Sequence, residues 1–237
     1  MRRILVGAVL ASVGVGCGTG SRDATRRSAA ILDTAPSAVA PPDDRPVVLC
    51  FGTSLTAGLG LASEAAYPAL LQRKVDSAGL AFRVVNAGVS GETSAAGLRR
   101  VDWLLEQPQR LAVLVLELGA NDMLRGQDLG AAKRDLQAII DRTRARFPHV
   151  RVVIAGMAAP PNLGPRYTKE FRDLFAALAR ENHAALIPFL LDGVAGRPEL
   201  NQADGIHPTE AGARIVADNV WRVLEPVLRL AALATGR

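Results

Sequence analysis

The chain contains 237 residues, of which 49% are hydrophobic and 22% are charged, a composition typical of a globular protein. A chain of this length can bury the core of a single α/β domain. Aromatic residues make up only 4% of the chain, and the formal net charge of +5 is not gathered into a basic stripe. These features argue against a nucleic-acid-binding protein, which needs a cationic surface and, for single strands, aromatic side chains on which bases stack.

The first 17 residues have the organisation of a signal peptide. Two arginines, Arg2 and Arg3, precede an apolar stretch over 4–15. This stretch is too short to cross a bilayer as a helix, which takes about 20 residues. We therefore predict a secretory signal over 1–17 and an exported protein.

A lone cysteine ends this segment, in the sequence Val-Gly-Val-Gly-Cys over 13–17. The pattern resembles the lipobox of bacterial lipoproteins, in which the cysteine is acylated, although Gly14 stands where Leu is usual. Two outcomes stay open: Cys17 carries lipid and tethers the protein to a membrane, or the chain is cleaved and released into the periplasm. Small and polar residues over 18–45 predict a flexible linker, which leaves 46–237 as the folded domain.

From residue 46 onward, strand patterns alternate with helix patterns. Several strand candidates are continuous runs of Val, Leu and Ile, as expected for parallel strands buried on both faces. The predicted strands are Val47–Phe51, Arg83–Asn86, Ala112–Leu118, Arg151–Gly156 and Ala185–Phe189, and the predicted helices lie near 66–78, 94–106, 128–146, 167–181 and 209–234.

This alternation predicts an α/β fold, a three-layer α/β/α sandwich with right-handed crossovers. Five strands favour the flavodoxin-like order of a parallel sheet, in which ligands bind beyond the carboxyl ends of the strands. Functional residues should therefore follow strands rather than precede them.

Four polar, glycine-containing turns follow predicted strands. They contain, in chain order, Ser54, Gly88, Asn121, and Asp204 with His207. Each has an ordinary alternative, because a serine at a helix start is often a cap, an asparagine is a common turn residue, and the last turn could simply begin a helix. Their co-occurrence at one edge of the sheet favours a catalytic site.

A serine nucleophile needs a nearby base, and the chain has three histidines. His149 and His183 precede the fourth and fifth strands, at the wrong edge of the sheet. His207 lies at the correct edge, three residues after Asp204, whose carboxylate could orient the imidazole. The residues therefore offer Ser54 as a candidate nucleophile, with His207 as its base.

Three groups could stabilise the oxyanion of a tetrahedral intermediate. They are the backbone N–H of Ser54 at a helix N-terminus, the backbone N–H of Gly88 and the side-chain amide of Asn121. A glycine at position 88 is expected to let a substrate approach the backbone.

Other chemistries find less support in the sequence. Cys50 lies inside the first strand, where a small core residue is more usual than a reactive thiol. The histidines are dispersed and form no cluster with cysteines, so we expect no metal site and no cofactor.

The four turns resemble the four blocks of the SGNH (GDSL) hydrolase family, over roughly 46–228. Gly52-Thr53-Ser54-Leu55 resembles the GDSL block, with Thr53 where Asp is usual. Gly88, Gly119-x-Asn121 and Asp204-x-x-His207 resemble the other three blocks. Within the family, the segments 84–94, 116–126 and 204–208 are similar to the bacterial thioesterase I/lysophospholipase L1 branch, often labelled arylesterase.

The resemblance implies a periplasmic esterase that acts on small acyl esters or thioesters, without a cofactor or a nucleic-acid partner, and we expect a monomer. It assigns Ser54 as nucleophile, His207 as base and Asp204 as the residue that orients it. It also assigns Gly88 and Asn121, with the Ser54 N–H, as oxyanion donors.

Two alternatives stay open. A carbohydrate O-deacetylase shares the family fold, but a sugar site should show aromatic platforms, and the Tyr and Trp residues are few and scattered. The loop over 157–167, rich in Met, Leu and Pro, is expected to shape an acyl pocket instead. The second alternative is a non-catalytic lipid-binding lipoprotein.

Overall fold

The computed structural model of the chain describes residues 43–107 and 110–235. The predicted signal peptide, Cys17 and most of the predicted linker lie outside the described residues. Over the part that is described, no helix combines the length and the apolar character needed to cross a membrane. Residues 43–45, which the sequence places in the linker, contact the domain, since the Arg45 guanidinium donates a hydrogen bond of 3.2 Å to the carbonyl of Phe82.

A five-stranded, fully parallel sheet forms the centre of the domain. Its strand order is β2-β1-β3-β4-β5, so the predicted flavodoxin-like order is confirmed. The strands are β1 (Val47–Gly52), β2 (Arg83–Gly88), β3 (Leu111–Glu117), β4 (Arg151–Ala155) and β5 (Ala185–Ile187).

Helices cover both faces of this sheet, as the predicted three-layer sandwich requires. Helix α2 packs against α7, whereas α3 packs against α5 and α5 against α6. The helices are α1 (Ser54–Ala57), α2 (Tyr67–Ser77), α3 (Ser94–Leu105), α4 (Ala120–Leu124), α5 (Leu129–Arg146), α6 (Pro165–Glu181) and α7 (Glu210–Thr235).

The apolar runs of the sequence are explained by burial of the central strands. Every residue of β1 is buried, and β3 is buried at all positions except Ala112. Strands enclosed on both faces cannot alternate between apolar and polar residues, so Val, Leu and Ile follow one another.

The structure differs from the sequence prediction at the carboxyl edge of the sheet. Strand β2 continues two residues beyond its predicted end, to Gly88. Two short helices, α1 and α4, follow β1 and β3; the sequence predicted only a helix start at Ser54 and gave no bounds for α1, and it did not predict α4. Helices of four or five residues show no apolar periodicity, so only their capping residues could have indicated them.

Candidate active site

Ser54 is the first residue of α1, immediately beyond the carboxyl end of β1. Thr53 caps this short helix, and its hydroxyl oxygen accepts a hydrogen bond of 3.4 Å from the Leu55 N–H. The sharp change from strand to helix leaves the Ser54 side chain partly exposed at the edge of the sheet. The sequence signal of a hydroxyl pair after an apolar run therefore marks this strand-to-helix turn.

Ser54, His207 and Asp204 form a continuous hydrogen-bonded chain. The Ser54 Oγ lies 2.8 Å from His207 Nε2, and His207 Nδ1 lies 2.6 Å from Asp204 Oδ2. These are the two contacts that a serine hydrolase needs, one between nucleophile and base and one between base and carboxylate. Three of the five residues that the sequence places in four turns are thus joined by hydrogen bonds.

The loop that carries Asp204 holds its carboxylate in place. Asp204 Oδ1 accepts hydrogen bonds from the backbone N–H groups of Ile206 (2.9 Å) and His207 (3.0 Å). These bonds, with the contact to the imidazole, hold the pKa of the Asp204 carboxyl well below its usual range. Asp204 is therefore an anion across the neutral and mildly acidic range, and it can stabilise a protonated His207.

The other two histidines lie where the sequence predicts them, away from this chain. His149 is exposed just before β4, and His183 is exposed just before β5. Both positions are at the amino ends of strands, on the edge opposite Ser54.

Asn121 lies in α4, directly beyond β3, and lines the same cavity as Ser54 and His207. Its Nδ2 donates a hydrogen bond of 2.9 Å to the carbonyl of Glu92. Because the amide carries two hydrogens, this bond fixes the orientation of the side chain and leaves the second N–H for a ligand.

Gly88 has a different place from the one expected. It is the last residue of β2, and its N–H donates a hydrogen bond of 2.9 Å to Asn86 Oδ1. A Cβ at this position would lie 2.2 Å from the backbone nitrogen of Ala57. The glycine is therefore needed for the close approach of α1 to β2, and it is not among the residues that line the cavity.

Gly91, three residues further on, lies at the cavity, where Gly88 was expected. It lines the cavity with Ser54 and Asn121, and its φ of +78° is a conformation that favours glycine. The Arg125 guanidinium donates a hydrogen bond of 2.8 Å to its carbonyl oxygen. The sequence contains both glycines in one turn, and the structure places Gly91 rather than Gly88 at the cavity.

The cavity beside Ser54 has a volume of about 340 Å³ and is mainly apolar. Met157, Ala158 and Pro160 contribute to it, as expected for the loop over 157–167. Within the described part of the chain, no Phe, Tyr or Trp side chain lines this cavity. Leu59, Leu124 and Ile206 also line it while remaining 46–55% exposed, so its mouth is apolar as well.

A larger groove of about 700 Å³ lies between α2 and α7. Two ion pairs lie in its walls, Lys74 with Asp218 at 2.5 Å and Arg229 with Glu225 at 2.7 Å. Neither Ser54 nor His207 lines it. We therefore place the active site at the smaller cavity, which contains the hydrogen-bonded chain.

Cys50 is fully buried in β1, as predicted. Burial raises the pKa of its thiol to about 12, because the thiolate would lose its hydration. A thiol that stays protonated at neutral pH is a poor nucleophile, so this cysteine is a core residue.

Glu117, the last residue of β3, is a site residue that sequence reasoning missed. Its side chain is 0% exposed and accepts hydrogen bonds from Thr53 and Thr56, on either side of Ser54. The signal in the sequence is a single charged residue within the apolar run over 111–118.

The fold and the hydrogen-bonded Ser-His-Asp chain together define a serine hydrolase of the α/β type. The chain belongs to the GDSL-like Lipase/Acylhydrolase family, whose model matches residues 50–215. The predicted family is thereby confirmed, and the protein is a hydrolase of ester bonds.

Named relatives agree with this assignment. The chain is 41% identical over 181 residues to esterase TesA of Pseudomonas aeruginosa. This alignment covers 76% of this chain and 89% of that protein. It is 37% identical to thioesterase 1/protease 1/lysophospholipase L1 of Escherichia coli strain K12, over 76% of this chain and 84% of that protein. A crystal structure of TesA matches with a TM-score of 0.73 and 40% identity, covering 76% of this chain and 99% of that one.

Proposed function

We propose that the protein hydrolyses carboxylic esters or thioesters of acyl chains through an acyl-enzyme on Ser54. The observation that carries the proposal is that the Ser54–His207–Asp204 chain opens into an apolar cavity of about 340 Å³. A cavity with aliphatic and thioether walls suits an acyl chain rather than a sugar ring.

The first half of the reaction forms the acyl-enzyme. Ser54 Oγ attacks the carbonyl carbon while His207 Nε2 takes the hydroxyl proton, and the ionised Asp204 stabilises the imidazolium. The tetrahedral intermediate then collapses, the bond to the leaving group breaks, and His207 returns the proton to the departing alcohol or thiol.

The second half releases the acid. A water molecule attacks the acyl-enzyme carbonyl as His207 takes its proton, and the bond from the carbonyl carbon to Ser54 Oγ then breaks. Ser54 recovers its proton from His207, and the enzyme returns to its starting state.

In both halves the negative oxygen needs hydrogen-bond donors. We assign this role to the backbone N–H of Ser54, the backbone N–H of Gly91 and the Nδ2 of Asn121. The support for Gly91 instead of Gly88 is that Gly91 lines the cavity, whereas the N–H of Gly88 is donated to Asn86.

Replacing Asn121 with alanine is expected to lower kcat by about 10²- to 10³-fold, because one preorganised oxyanion donor is lost. The KM for a p-nitrophenyl ester should change little, since a ground-state carbonyl needs this donor less than the oxyanion does. Steady-state kinetics check this, with Gln127→Ala, just beyond α4, as a control. A changed KM with an unchanged kcat would show that Asn121 only binds substrate.

Hydrolysis of p-nitrophenyl esters from acetate to decanoate tests the proposal directly. We expect activity to rise beyond acetate, because the apolar cavity rewards each added methylene with about 0.8 kcal/mol of burial until it is filled. Acyl-coenzyme A serves as the thioester substrate, and mass spectrometry should detect the acyl group on the peptide that contains Ser54. Activity confined to acetylated sugars would favour the deacetylase, and binding of esters without turnover would favour a lipid-binding protein.

We also propose that the protein is exported and acts as a monomer in the periplasm or at a membrane. The support for export is the basic start and the apolar stretch within 1–17. Cys17 would decide between a tethered and a released enzyme.

A further inference from the structure

The carboxyl group of Glu117 is a buried acid to which the reaction above gives no role. It lies at the end of β3, beneath α1, and its side chain is 0% exposed. Among the ion pairs of residues 43–107 and 110–235, none includes Glu117. Burying a carboxylate without a cation costs desolvation free energy, so the hydrogen bonds to Glu117 must offset that cost.

Three donor groups converge on this carboxyl group, two from Thr53, the cap of α1, and one from Thr56 within α1. The Thr53 N–H donates to Oε2 (2.8 Å), the Thr53 hydroxyl lies 3.0 Å from Oε1, and the Thr56 hydroxyl lies 2.8 Å from Oε2. Gly52 makes room for this arrangement, because a Cβ there would lie 2.5 Å from Oε2. The two threonines flank Ser54 along the chain, so one carboxyl group holds the backbone on both sides of the nucleophile.

The hydroxyl groups around Glu117 are arranged so that each can donate its hydrogen toward an ionised carboxylate. Tyr67 Oη lies 2.9 Å from the Thr56 hydroxyl, and since Thr56 donates to Glu117, Tyr67 must donate to Thr56. Tyr67 of α2 interacts electrostatically with Glu117 and with Cys50 of β1, and burial raises the pKa of both Tyr67 and Cys50. Both therefore keep their protons and can act as donors.

Protonation of Glu117 would disturb this order next to Ser54. A proton on Oε1 would be donated to the Thr53 hydroxyl, which already accepts from the Leu55 N–H. The Thr53 hydroxyl could then donate only to Oε2 (3.0 Å), which already accepts from the Thr53 N–H and the Thr56 hydroxyl, so three donors would compete for one oxygen beside the cap of α1. The geometry at position 54 thus depends on the charge of Glu117.

We infer that ionised Glu117 is a positioning residue for the nucleophile: it clamps Thr53 and Thr56 and so fixes the first turn of α1 with Ser54 Oγ in hydrogen-bond reach of His207 Nε2. The inference rests on the proposed function, because it takes Ser54 as the nucleophile. Burial raises the pKa of Glu117 to about 7 even though the bonds from Thr53 and Thr56 lower it, so the charge of this residue changes within the range where esterases are assayed.

The isosteric variant Glu117→Gln gives the first test. We expect a kcat for p-nitrophenyl butyrate about 10- to 100-fold lower at pH 8, because small misplacements of a nucleophile have effects of this size. The KM should stay within about twofold, and labelling of Ser54 by a fluorophosphonate should slow in parallel with kcat. The acid limb of kcat/KM should also be less steep than in the wild type, since Glu117 would no longer contribute a titrating carboxyl group. A folded Glu117→Gln protein with wild-type or higher kcat would overturn the inference.

A matched pair at Thr56 gives a second test that does not depend on the folding of Glu117→Gln. Thr56→Val removes one donor to the carboxylate, which raises the pKa of Glu117 and should move the acid limb upward by about half a pH unit or more. Thr56→Ser keeps the hydroxyl and should restore the wild-type profile. Superimposable profiles for the two variants would contradict the proposed role.

Ser54→Ala in the same series separates this inference from the proposed function. Hydrolysis that survives Ser54→Ala would overturn the acyl-enzyme mechanism itself. Loss of activity in Ser54→Ala, together with unchanged kinetics in Glu117→Gln and Thr56→Val, would leave the mechanism standing and overturn only the role of Glu117.

Discussion

Ser54→Ala is expected to lower kcat for p-nitrophenyl butyrate about 10⁶-fold, the size of effect seen when a triad nucleophile is removed from a serine hydrolase. The variant keeps its backbone and therefore its Ser54 N–H position, so substrate binding should be nearly unchanged. Residual hydrolysis would come from the oxyanion donors and from binding alone. The kcat is measured by kinetics with stopped-flow detection. A thermal unfolding curve shows that the variant folds.

The controls for this variant address the rival nucleophiles. Ser77→Ala alters a serine of α2 whose hydroxyl bonds to the Arg73 carbonyl, and it should leave kcat unchanged. Cys50→Ala should also hydrolyse the ester, because the buried thiol has no access to substrate. Retained activity in Ser54→Ala with loss in Ser90→Ala would move the nucleophile to the turn after β2 and contradict the assignment.

Asp204→Asn is expected to lower kcat by about 10⁴-fold, with little change in stability. An asparagine can still accept the Ile206 and His207 N–H bonds through Oδ1, so the loop keeps its shape. Its Nδ2 would donate to His207 Nδ1 where the carboxylate accepts. The imidazole would then carry its hydrogen on Nε2, where it cannot take the proton of Ser54.

Circular dichroism and kinetics on Asp204→Asn separate these effects. The double variant with Ser54→Ala should be no slower than Ser54→Ala alone, since residues that act as one unit are not additive. Additive losses, or a loss below about tenfold in Asp204→Asn, would show that Asp204 only stabilises the loop.

Much of the fold follows from the sequence because burial in a parallel sheet restricts residue choice so strongly. A short continuous run of Val and Leu such as that of β3 indicates a strand that is buried on both faces. The carboxyl edge of the sheet then follows from topology, which is why Ser54, Asn121, Asp204 and His207 could be placed at one edge from the sequence.

The parts that could not be predicted depend on distances between elements. Whether Gly88 or Gly91 faces the cavity depends on where β2 ends, and β2 extends two residues beyond its predicted end, to Gly88. Gly88 is required by the backbone of α1, a contact between segments about 30 residues apart in sequence. In the sequence Glu117 is an isolated charged residue, and its contacts with Thr53 and Thr56 become evident only in the structure.

The buried carboxyl group of Glu117 also couples the folding equilibrium to proton uptake. Its pKa rises from an ordinary value of 4.5 to about 7 on folding, so between these values the folded chain binds more protons than the unfolded chain. The contribution of Glu117 protonation to the free energy of unfolding is fully present below pH 4.5. It is lost as the pH rises through about 7, and the total loss is about 3 kcal/mol. The ionised form of Glu117, which we infer to position Ser54, therefore predominates in alkaline solution, where the native state lacks this contribution to its free energy of unfolding.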